Sequence, residues 1–154
     1  MFVMEPSALP PTAVVDLALV SRSPAQVLLH HHMTFWQPPR VRVYAGQSCR
    51  SAVRDAACRW WELADPRIGD SVGGPWSPAS TRPDRDRVER RLLLVLLPPG
   101  TPRPYAGPLA ARASWWPVTR LLAGEVVTRP AELGIFVDGY LRGWLPDGQH
   151  ALDW

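Results

Sequence analysis

The sequence predicts an α+β fold: a mostly antiparallel sheet packed against one or two helices, in a small single domain covering residues 1–154. Three observations carry this. AVVDLALV (13–20) and VERRLLLVLL (88–97) hold apolar runs of strand length. Residues 49–64 repeat small and apolar side chains at helical spacing. The 18 prolines and 11 glycines cut the rest of the chain into short pieces.

The elements follow in order. Residues 13–20 read as a buried strand, interrupted only by Asp16. In the next segment, Ser23, Pro24 and Gln26 fit the first positions of a capped helix over 24–36. A strand is the rival reading, with Val27, Leu29, His31, Met33 and Phe35 on one face; the cap favours the helix. RVRVYA (40–45) alternates as a strand does. Ser48 caps a helix over 49–64 whose stripe is Ala52, Val53, Ala56, Ala57, Trp60, Leu63 and Ala64. On that stripe Trp60 is expected to be buried and Trp61 only partly covered. Residues 65–87 and 98–108 are expected to be long loops, the second extended and proline-rich. A strand is expected near 88–97. SWWPVTRLL (114–122) is ambiguous around Pro117, and 125–128 is expected to be a short strand.

Composition narrows the function classes. A chain of 154 residues, 46% hydrophobic, has material for one real core. No apolar run approaches the ~20 residues of a membrane helix. The proline-broken start MFVMEPSALPP lacks a positive n-region, so no secretory signal and no membrane partner are expected, and the cytoplasm is the expected compartment. Cys49 and Cys58 lie on opposite faces of the expected helix, too far apart to bond. The net charge is +3, and every basic residue is arginine. Phosphate binding and stacking explain such a bias; so does a GC-rich genome.

The motif search gives little chemistry. His30-His31-His32 has neither HxxxH nor HExxH spacing, and no CxxC pair exists. No nucleophile motif or phosphate-binding glycine loop is present. No metal or cofactor is implied. RPDRDRVERR (82–91) carries Arg82, Arg85, Arg87, Arg90 and Arg91 against three acids, and reads either as a self-paired surface or as a phosphate-contacting strip. The pairs Trp60-Trp61 and Trp115-Trp116 each place one ring off the core, against a second layer or a partner.

GIFVDGYLRGWLPDG (134–148) alternates about Asp138-Gly139, the strongest short hairpin signal. The stretch ELGIFVDGYLRGWLP resembles the closing hairpin of HIRAN domains, with Pro130 loosely matching an upstream proline and Arg129 departing from the family's asparagine. SH3-like barrels end similarly. The resemblance implies a β-barrel-like portion that binds DNA. The expected function is therefore a small non-catalytic nucleic-acid-binding module. Its candidate site is Arg82, Arg85, Arg87, Arg90, Arg91, Tyr140, Arg142 and Trp144, with Trp144 holding one ring face open beside an arginine. The alternatives are a structural or adaptor subunit with a protein partner or a second copy of the chain, and an enzyme of unknown class.

Overall fold

β1 (Ala13–Arg22) is the central strand of the fold, and its two edges are used differently. The computed structural model describes residues 10–75, 89–104 and 110–154. One edge of β1 runs parallel to β6 (Glu89–Leu96) over Ala13–Val20. The other edge is shared. β4 (Arg40–Val43) pairs antiparallel with Ala13–Asp16, and β2 (Ala25–His32) with Val20–Arg22. Between the two partners, the Leu17 N–H donates to the Pro39 carbonyl at 2.8 Å. β2 continues to β3 (Phe35–Gln37) and β7 (Ala113–Pro117); β6 continues to β5 (Arg67–Pro75), and β5 pairs parallel with β8 (Gly148–Leu152). The sheet has eight strands among the described residues; it is mixed, with most pairings antiparallel, as the α+β class requires.

Helices cover both faces, which is why β1 and β6 read as nearly continuous apolar runs. Val15, Leu17 and Leu19 face α1 (Cys49–Trp61), together with Leu93 and Val95. Ala18 and Val20, with Leu92, Leu94 and Leu96, face α2 (Val118–Leu122) and α3 (Leu133–Arg142). Each fully buried Leu or Val stabilises the fold by roughly 1.5–3 kcal/mol relative to exposure.

α1 forms as its sequence dictates. The Ser48 side chain accepts from the Ser51 N–H at 3.0 Å, and Ala52, Val53, Ala56, Ala57 and Trp61 face the sheet. The helix ends at Trp61, earlier than residue 64, because Glu62 takes a left-handed cap. The tryptophan expectation is reversed. Trp61, eight positions after Val53, is buried, and Trp60 packs edge-on against it while partly exposed. Cys49 and Cys58 are free thiols.

Four expectations need correction. Residues 24–36 are not a helix but β2 and β3: both edges of β2 are taken, by β1 and β3 on one side of the pairing and β7 on the other, and these ladders outweigh the local cap. Residues 65–87 are not all loop, since β5 occupies 67–75. Gly73 fits there because Leu92 and Leu152 pack where a Cβ would stand. The remainder, 76–88, lies outside the described residues, as does 105–109. Residues 125–128 hold a single bridge, Trp36 to Thr128, not a strand. Finally, 134–148 is no hairpin. Leu133, Phe136, Val137, Tyr140 and Leu141 recur at helical spacing and lie on the core beneath α3, whereas Ile135 points to solvent. Gly143, at φ 76°, caps the helix. The ambiguous 114–122 resolves at Pro117, where β7 hands over to α2. No helix among the described residues is long and apolar enough to cross a membrane.

Candidate functional site

A buried carboxylate organises the polar end of the sheet. Asp16 continues the Ala18–Val20 face of β1, and Arg90 continues the Leu92–Leu96 face of β6, so each charge sits where an apolar face runs out. Arg40 faces Asp16 across the β1–β4 ladder. The Asp16 side chain is fully buried. It accepts from Arg40 Nε at 3.2 Å, from Arg90 Nη2 at 3.3 Å and from the Trp154 indole N–H at 2.6 Å. The Arg90 guanidinium also lies over the Trp154 ring, 5.0 Å from its centroid. Trp154 is brought here by backbone ties: the Ala131 N–H donates to the Asp153 carbonyl, and the Asp153 N–H donates to Glu132 Oε2.

The network extends outward from Arg40. Its Nη2 donates to Gln37 Oε1, which turns the Gln37 amide nitrogen toward His30 Nε2 at 3.2 Å. His30 therefore accepts there as a neutral ring. Burial, then His32 and Arg40, lowers its pKa to about 4. Arg129 lies over Phe35 at 4.3 Å and is close enough to Arg90 to repel it. Burial pulls Arg90 below the usual guanidinium range; Asp16 opposes this, and Arg40 and Arg129 add to it. Three guanidiniums against one carboxylate leave two positive charges in excess. Among the described residues, the buried Arg90 Nε has no partner. Such a site attracts an anion with several oxygens.

The eight residues singled out from sequence do not form one strip. Arg82, Arg85 and Arg87 lie outside the described residues. Arg90 belongs to the Asp16 cluster. Arg91 points to the other face of β6, pairs with Glu89 and covers Gly74. Tyr140 packs over Gly69, and Arg142 pairs with Asp138 at 2.9 Å on the same helix. Trp144 is exposed beyond the end of α3. Sequence reading missed Asp16, Arg40, Arg129 and Trp154 as a group. The available signal was the lone acid inside an otherwise apolar strand.

A hollow of about 550 Å³ also lies at the β1–β2 turn, walled by Arg22, Arg103 and the prolines of 98–102. It sits at the far end of β1 from Asp16, and the described residues of its wall include no carboxylate or histidine.

Divalent cations at reaction centres are commonly held by clusters of carboxylates. The described residues do not fit such a centre. They contain no group of three or more His, Cys, Asp or Glu able to hold an ion, α1 carries only Asp55, and Asp16 is saturated by three donors.

No family model matches the sequence, and no curated protein matches it. Solved structures do. The Ap4A hydrolase of C. elegans is 15% identical, with 88% of this chain and 99% of that one covered, at a TM-score of 0.55. The NUDIX domain of Shewanella oneidensis NrtR, complexed with ADP ribose, is 14% identical, with 92% and 94% covered, at a TM-score of 0.55. The chain thus has a Nudix-like fold. This overturns the HIRAN and SH3-like resemblance, whose central stretch is helix α3. The non-catalytic nucleic-acid-binding module falls with it, because the fold is similar to those of a hydrolase and of a domain complexed with ADP ribose.

Proposed function

We propose that this chain takes a nucleoside phosphoanhydride, with Arg40, Arg90 and Arg129 meeting its phosphate oxygens. Ap4A and ADP ribose, named with the two compared structures, are both adenosine phosphoanhydrides. The observation that carries the reading is the excess of guanidinium over carboxylate around Asp16, on a Nudix-like sheet. Asp16 acts as an orienter: it fixes one edge of Arg40 and of Arg90 and leaves their remaining donors for ligand. Arg40 and Arg129 reach solvent, so an anion has access.

Replacing Arg90 by Gln keeps much of its length and removes its charge. We expect affinity for ADP ribose, measured by titration calorimetry, to fall about 10- to 100-fold, as loss of a charge-assisted hydrogen bond implies. Undiminished affinity, in a variant that melts like the parent, removes the phosphate role from this cluster. Turnover is read separately, by anion-exchange chromatography of ADP ribose and Ap4A after incubation with magnesium. The likeness to a hydrolase favours cleavage, so loss of intact ligand with time is the expected result.

A further inference from the structure

Trp144 stands at the mouth of a cavity that the Asp16 cluster does not use. The chain turns at Gly143, and the Trp144 and Leu145 N–H groups both donate to the Gly139 carbonyl at 3.1 Å. This brings the indole against α3. A Cβ on Gly139 would lie 2.8 Å from two ring carbons, so the glycine is what lets the ring approach. The indole is thereby held close to α3 at Gly139, while the residue remains 55% exposed. An indole held in place and more than half exposed can serve as a stacking platform.

The indole lines a cavity of about 250 Å³ together with Phe136, Leu145 and His150. His150 packs edge-on against Phe136 and donates from Nε2 to the Pro146 carbonyl at 2.6 Å, which leaves Nδ1 as an acceptor. A second cavity of about 330 Å³ shares Glu132, Ala151 and Leu152 with the first and reaches Asp153. The next residue is Trp154, which lies on Arg90 and Asp16. His150 and Trp154 are four residues apart, so their Cα atoms are separated by at most about 14 Å. The two cavities therefore run from an aromatic end to an acidic one, and from Asp153 the chain passes directly to Trp154 and its Arg90 contact.

Resting on the phosphoanhydride reading, we infer that the cavity beneath Trp144 seats the nucleobase, with the sugar hydroxyls on Glu132 and Asp153 and the phosphates toward Arg90. The order follows from charge. Carboxylates accept hydrogen bonds from vicinal hydroxyls and repel phosphate, so Glu132 and Asp153 keep the phosphates toward the arginines. The base, flat and uncharged, takes the ring face and the Nδ1 acceptor of His150.

The test compares ADP ribose with inorganic pyrophosphate, each titrated calorimetrically into the intact chain and into Trp144→Ala and Trp144→Phe. Trp144→Ala should weaken ADP ribose about tenfold or more, the usual effect of losing a stacked base. It should leave pyrophosphate unchanged, and Trp144→Phe should restore most of the loss. Equal ADP ribose affinity in parent and Trp144→Ala, with pyrophosphate still bound, overturns the base seat and leaves the phosphate site standing. A parent chain that binds neither compound takes down both.

Discussion

Asp16→Asn is expected to lower the unfolding free energy by roughly 2–3 kcal/mol, by analogy with breaking one side of a buried ion pair. The carboxylate is fully buried, and its loss strips the counter-charge from two guanidiniums at once. Arg40 is 45% exposed and Arg90 29% exposed, so water offsets part of the penalty and the loss falls below the usual range for a buried pair. The Asn amide also presents a donor to groups that themselves only donate, so at most one of its atoms serves them. For a chain of this size, the melting temperature should fall by roughly 4–12 °C. A shift within 1 °C would mean that the arginines are solvated well enough to need no partner.

A second large effect should appear on acidification. His30 is 6% exposed, and its folded pKa is lowered to about 4 from an ordinary 6.5. Because the folded value lies below the unfolded one, the unfolded chain binds more protons between these limits. The stability contribution is complete above pH 6.5 and is lost as pH falls toward 4, by up to about 1.4 kcal/mol per unit. The structural reason is direct: a protonated ring can no longer accept from Gln37, and it faces Arg40 and His32. Urea unfolding at a series of pH values would measure the slope, and His30→Gln should flatten it. Identical slopes in parent and variant would assign the acid sensitivity elsewhere.

How far the sequence could be read depended on how local the deciding contacts are. α1 was legible because a serine cap and an apolar stripe at helical spacing lie within one segment. β1, β4 and β6 were legible because their apolar or alternating runs need no partner to identify them. α3 was misread because Asp138-Gly139 is a strong turn signal in isolation. It yields here to the helical period of Leu133, Phe136 and Val137, and Gly139 serves instead as the bed for Trp144. β2 was misread because its deciding bonds come from β7, about 85 residues away. The candidate site was least legible of all. Asp16, Arg40, Arg90 and Trp154 have no common spacing and meet only through strand order. Asp16 stood out as an interruption in a strand, yet nothing nearby in sequence showed which cations answer it.

That same dispersal bears on the rates of folding. The donors to Asp16 lie 24, 74 and 138 residues along the chain. Its carboxylate is satisfied only after β4, β6 and the last residues have each closed a loop, and loop closure precedes any return from such contacts. The cluster should therefore assemble after the rate-limiting step. Stopped-flow chevrons of Asp16→Asn should show refolding close to that of the parent chain and unfolding that is markedly faster. The ion cluster then acts as a latch on the finished sheet, setting how long the native state lasts while leaving the speed of its formation to β1, β6 and their apolar faces.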